Sequence, residues 1–189
     1  MNYYEYYSNF VSAFGKMNCS VKDLPLTKGE FNAAAIDRSL AWADVIYVGG
    51  GDTRTMMEIW KRHSLDKKLK DIYEKDTAVL TGISAGAICW FRSGHSDSNS
   101  FTGGEDWEYT IVDGMIGLYP YCFCPHYNEE GRHSFDQMIS GIEYDGLALE
   151  NETAFVESSG ERFIIRSRHD AKAWLFSHYK KQELEVIPC

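Results

Sequence analysis

Residues 77–90 read T-A-V-L-T-G-I-S-A-G-A-I-C-W. A short apolar strand runs into Gly82-Ile83-Ser84-Ala85-Gly86, and an apolar helical segment follows. Few local patterns constrain a chain as tightly. G-x-S-x-G between a strand and a helix describes a sharp turn that strains the serine backbone and lifts its hydroxyl clear of the sheet edge. Gly82 and Gly86 remove side chains that would clash across such a turn. Ala85 opens the helix, where its N–H would face an oxyanion formed at the serine. The bare motif arises by chance in about one chain of this length in fifteen. The flanking strand and helix therefore carry the argument. The alternative is a glycine-rich strand–helix turn in which Ser84 only caps the helix.

The 189 residues suit a single domain, 1–189, with a sizeable core. Hydrophobic residues make up 44% of the chain and the formal net charge is −9, so the protein is globular and acidic. That balance argues against nucleic acid or an anionic membrane as a partner, because no basic excess exists to displace counterions. The five cysteines, Cys19, Cys89, Cys122, Cys124 and Cys189, are odd in number and irregular in spacing. They imply no disulfide framework, and a reducing, cytoplasmic location is expected. No apolar run reaches the ~18 residues of a membrane span, and the opening M-N-Y-Y-E-Y-Y does not read as a signal peptide.

Apolar spacing predicts a helix over residues 3–14, with Tyr3, Tyr7, Phe10, Val11 and Phe14 on one face. A short strand is expected over 21–26. Thr27-x-x-Glu30 has the form of a capping box opening a helix to about residue 41. A strand over 45–48 ends in Gly49-Gly50-Gly51, and Asp52 can cap a helix over 53–62. Further helices are expected over 65–73 and 132–139. Strands are expected over 119–124, 146–149, 153–157, 162–166 and 171–176. Residues 93–107, rich in Ser, Gly and Asp, read as a long polar loop. Alternation followed by hairpins predicts an α/β sandwich around a mainly parallel sheet with a β-rich end.

A nucleophilic serine needs a base. Of six histidines, His126 stands at the end of an apolar strand, in Cys-Phe-Cys-Pro-His-Tyr. The carboxyl ends of parallel strands are where sites form. Gly50 or Gly51 could bring a second N–H to the oxyanion, beside Ala85. No Lys-Ser/Thr follows the triple glycine, so it is not a nucleotide P-loop. Two carboxylates could orient the imidazole: Glu150 at a strand end, or Asp97 in the long loop. Cys122, Cys124 and His126 alternate, which on a strand would place three metal-capable side chains on one face. They lack a matching second pair, and a metal-free, cofactor-free site is expected.

Together, Tyr47-Val48-Gly49-Gly50-Gly51-Asp52-Thr53, Gly82-Ile83-Ser84-Ala85-Gly86-Ala87, Pro125-His126-Tyr127 and Leu149-Glu150-Asn151-Glu152-Thr153-Ala154 resemble the serine peptidase family of dipeptidase E (aspartyl dipeptidase) and cyanophycinase. Gly94-His95-Ser96-Asp97-Ser98 is similar to its bacterial dipeptidase-E-like branch. The resemblance implies a three-layer fold like that of class I glutamine amidotransferases, with serine in place of their cysteine. It implies Ser84 as nucleophile, His126 as base, and hydrolysis of small peptides, Asp-X dipeptides above all. Glu150 and Asp97 both remain open as the acid. The family carries two strands ahead of the helix that opens here at Tyr3, so a domain missing its N-terminal strands is expected. Strand edges left open in this way invite a homo-oligomer. They also leave a second reading, an inactive relative serving as a binding or assembly domain. An acidic substrate calls for a cation, with Arg54, Arg92, His95, Arg132 and His133 as candidates.

Overall fold

The computed structural model describes residues 3–26, 32–102 and 108–189. It has two compact units, Met1–Asp44 and Val45–Cys189. The first holds α1 (Tyr3–Gly15) and α2 (Ala33–Trp42). Phe10 and Phe14, one turn apart on α1, stack at 4.3 Å. Asn32 caps α2 by accepting the Ala34 N–H at 2.9 Å. The capping box expected at Thr27 and Glu30 lies outside the described residues. Residues 21–26 form no strand, and Lys22 lies over the Trp42 ring instead.

The second unit opens with β1 (Val45–Val48), α3 (Thr53–Arg62), α4 (Leu65–Lys75), β2 (Val79–Gly82) and α5 (Ala85–Ile88). β1 and β2 form a parallel pair in which Val48 lies opposite Gly82. Asp52 caps α3, accepting the Arg54 N–H at 3.0 Å. Burial alone would raise its carboxyl pKa. Hydrogen bonds from Thr55, Ser98 and the backbone outweigh this and hold it below the usual value.

Next come β3 (Phe91–Ser96), β4 (Thr110–Asp113), β5 (Tyr119–Cys124), α6 (Ser134–Ile139), β6 (Gly146–Leu149), β7 (Thr153–Ser158), β8 (Glu161–Arg166), β9 (Ala173–Ser177), β10 (Lys180–Glu183) and β11 (Ile187–Pro188). A six-stranded sheet runs β10-β9-β6-β5-β3-β4, and β11-β8-β7 form a third sheet. Only the centre of the large sheet, β3-β5-β6, is parallel; β4, β9 and β10 join it antiparallel. The mainly parallel sandwich expected from sequence is therefore a mixed α/β arrangement of three sheets. The hairpin joining β9 to β10 could not have been parallel, because so short a connection cannot make a parallel crossover.

Part of the polar stretch at 93–107 is not a loop but the body of β3. Ser93, His95 and Ser96 are fully buried there. Their polar atoms are satisfied: Tyr144 Oη donates to Ser93 Oγ at 2.8 Å, and Ser96 Oγ pairs with Thr53 Oγ1 at 2.9 Å. His95 Nε2 lies 3.0 Å from Ser134 Oγ. Gly94 lets α5 settle on this strand, since a Cβ there would stand 2.3 Å from Ile88 Cγ2. Elsewhere around the sheet, Cys122, Cys124, Tyr127, Phe135, Ile139, Ala148 and Phe176 form one apolar cluster.

Candidate active site

Ser84 follows β2 with φ 55° and ψ −121°. A side-chain-bearing residue in such a state costs about 1–3 kcal/mol and persists only where its surroundings enforce it. The surroundings here are glycines. A Cβ on Gly82 would stand 2.1 Å from Gly86 O, and one on Gly86 would stand 2.1 Å from Val48 O. The turn is pinned to β1 by the Ile83 N–H, which donates to Val48 O at 3.1 Å. Ser84 occupies the cap position of α5, yet its side chain makes no capping bond. The capping alternative therefore fails on geometry.

Gly50 lies against the serine. A Cβ on Gly50 would be 3.2 Å from Ser84 Cβ and 3.7 Å from its Oγ. Gly51 has φ +150° and open space beside it. Ala85 is the first residue of α5, where helix N–H groups have no partner within the helix. The glycine turn after β1 and the start of α5 thus flank one hydroxyl.

His126 lies two residues beyond β5, in the left-handed region at φ 55°. The Tyr127 N–H donates to Leu149 O at 2.9 Å, which ties the turn to the end of β6. The imidazole Nδ1 is 2.6 Å from Asn151 Oδ1 and 3.8 Å from Glu129 Oε1. Neither expected acid is the ring's hydrogen-bond partner. Glu150 Oε2 accepts the Lys172 N–H at 3.0 Å, while the Glu150 N–H donates to Lys172 O at 3.0 Å. Glu150 is thus turned to Lys172, just ahead of β9, while its neighbour Asn151 meets the imidazole. Asp97 follows β3, and its carbonyl accepts the Ser100 N–H at 2.9 Å.

Ile83 of the elbow and Asn151 line one cleft, although Ser84 and His126 are not among its lining residues. Ile83, Asn151, Thr153, Arg166 and Arg168 are among the residues lining an open space of about 570 Å³. Arg166 donates from Nη1 to Ala171 O at 3.2 Å, and its Nε is buried with no acceptor among the described residues. Arg168 pairs with Asp170 at 2.7 Å. The cations expected from sequence lie elsewhere. Arg132 is buried, donates to His95 O at 2.8 Å and stacks on Tyr109. Arg54 bonds Asn99, Arg92 covers Tyr144, and His133 packs against Tyr127. Burial, with the Arg132 cation beside it, pushes the His95 pKa down to about 3, so that ring is neutral at pH 7.

The alternating Cys122, Cys124 and His126 do not converge. Both thiols are buried in the core, and burial pushes Cys122 up to about 12. The positive φ at His126 accompanies a ring directed to Asn151 instead. Among the described residues, no three His, Cys, Asp or Glu side chains gather as a metal site would require. Also among those residues, no helix is long and apolar enough to cross a membrane.

A strained serine between a strand and a short helix, with Gly50 packed against it, has the geometry of a nucleophile elbow on an α/β scaffold. Residues 1–165 match the model of peptidase family S51, and the chain belongs to that family, which includes dipeptidase E and cyanophycinase. It is 34% identical over 173 residues to an uncharacterized peptidase of Bacillus subtilis (strain 168), YgaJ, covering 89% of this chain and 70% of that one. Its fold is similar to the crystal structure of a candidate peptidase E protein from Listeria monocytogenes EGD-e. That match has a TM-score of 0.64 at 19% identity and covers 82% of this chain and 74% of the other. Family membership makes the chain a peptidase-class hydrolase.

Proposed function

We propose that the chain is a serine-type peptidase that hydrolyses small peptides, with bonds after an N-terminal aspartate as its preferred substrates. One observation carries the reading: the Ser84 hydroxyl is held in a strained turn and makes no capping bond to the helix it precedes. In this mechanism Ser84 Oγ attacks the scissile carbonyl while His126 Nε2 takes its proton. The oxyanion is stabilised by the N–H of Ala85 and by that of Gly50 or Gly51. Collapse returns the proton from His126 to the leaving amine, and water then releases the acyl group by the same steps. No metal or cofactor enters this scheme.

Support for an acidic substrate comes from Arg166. Its side chain lines a cleft that also takes in Ile83, its Nε has no hydrogen-bond partner among the described residues, and guanidinium–carboxylate pairs are among the stronger polar contacts. Parallel assays on Asp-X, Asn-X and Ala-X dipeptides, with Ser84→Ala as control, test the proposal. Hydrolysis of Asp-X well above the other two is the expected result. Equal rates on all three remove the acidic preference. No hydrolysis by a folded chain favours the alternative of a binding or assembly domain.

A further inference from the structure

We infer that Asn151 and Glu129 form a positioning relay for His126, so that the imidazole is oriented by an amide backed by a carboxylate rather than by a carboxylate in direct contact. The inference rests on the serine-peptidase reading of the site. His126 Nδ1 lies 2.6 Å from Asn151 Oδ1, and Asn151 Nδ2 donates to Glu129 Oε1 at 3.0 Å. The three groups therefore form a chain in which each link has one workable direction. An ionised carboxylate only accepts, so the amide must turn its NH₂ toward Glu129. Its oxygen is then left for the imidazole, which must supply the proton. That places the ring hydrogen on Nδ1 and leaves Nε2 bare, the tautomer a general base needs.

The backbone holds each member in place. Asn151 lies two residues beyond β6, and its N–H donates to Asn128 Oδ1 at 2.8 Å. His126 lies two residues beyond β5, which pairs in parallel with β6. The Glu129 N–H donates to His126 O at 2.8 Å, closing the turn that carries both. When the imidazole gains the serine proton, Glu129, 3.8 Å from Nδ1, faces the new charge beside the amide. Neither carboxylate favoured by sequence pattern is hydrogen-bonded to this nitrogen, and among the described residues the Asn151 amide is its hydrogen-bond partner.

The test uses the full chain, an Asp-X dipeptide assay and the rate of labelling by a fluorophosphonate. Four proteins are compared: wild type, Asn151→Leu, Glu129→Gln, and Glu129→Gln combined with Asn151→Asp. Circular dichroism melts confirm that each is folded. The relay predicts that Asn151→Leu lowers kcat by about 10²–10⁴-fold, the usual worth of general acid–base help, with KM within about threefold. Glu129→Gln, which keeps the amide in place, should lower kcat by only about tenfold. The combined variant should regain most of that loss, because the carboxylate introduced at position 151 then faces Nδ1 directly. Labelling rates should follow kcat. A rise in KM with kcat unchanged in Asn151→Leu would make Asn151 a substrate contact and overturn the relay. So would a folded Asn151→Leu with wild-type kcat. If wild type itself neither hydrolyses nor labels, the serine-peptidase reading fails, and the relay with it.

Discussion

Gly50 presses against Ser84: a Cβ at position 50 would stand 3.2 Å from the Ser84 Cβ. That separation is tight, and the nearest atom, the Ser84 Cβ, moves only with its own backbone, so the turn itself must give by a few tenths of an ångström. Gly50→Ala is therefore expected to fold, with a small displacement of the turn. Misplacements of about 1 Å in a reacting geometry can cost 10²-fold, so a kcat loss of roughly tenfold or more is expected, with little change in melting temperature. A Gly50→Ala enzyme with wild-type kcat would remove Gly50 from the reacting geometry.

The backbone of Ser84 is strained only because it carries a Cβ. Ser84→Gly should abolish hydrolysis and relieve that strain, and Ser84→Ala should abolish it without relief. A gain of about 1 kcal/mol corresponds to a rise of about 2–4 °C in a domain of this size. Scanning calorimetry on the two variants checks this. A Ser84→Gly protein that melts no higher than Ser84→Ala would mean that the turn holds no strain worth releasing.

His95 supplies a pH dependence whose sign is fixed. Its folded pKa is depressed to about 3, by burial first and then by Arg132, against an ordinary value of 6.5. Above pH 6.5 the ring is neutral in both folded and unfolded chains. As pH falls below about 6.5, only the unfolded chain gains the proton, so folding loses about 1.4 kcal/mol per pH unit from this one group, down toward about pH 3. Urea denaturation at about pH 7 and about pH 5 should show the wild type losing more stability than His95→Phe across that interval. Equal losses would mean that the ring takes up a proton in the folded state.

The elbow was legible because its glycines answer to local geometry: a chain cannot turn this sharply with side chains at 82 and 86. Strands β1, β5, β6, β7 and β8 were legible because they carry apolar runs. β3 was not, because a hydrophobic pattern is blind to a central strand built from Ser93, Gly94, His95 and Ser96 and held by side-chain hydrogen bonds to Thr53, Tyr144 and Ser134. The partner of His126 was missed for a different reason. Position 150 is the acid and 151 the amide, and only the face each presents beyond β6 decides which one meets the ring. The cleft arginines, Arg166 and Arg168, lie far beyond Ser84 in sequence. They line the same cleft as Ile83 from the end of β8, and a juxtaposition of that kind leaves no local mark in the sequence.

The central claim is that Ser84 is a nucleophile activated by His126. Reaction with a fluorophosphonate, followed by peptide mass mapping, tests it without knowledge of the substrate. The account predicts one adduct per chain, on Ser84, absent in Ser84→Ala and formed at least about 10²-fold more slowly in His126→Ala. An adduct on another residue, or a folded wild-type chain that takes up none, would contradict it.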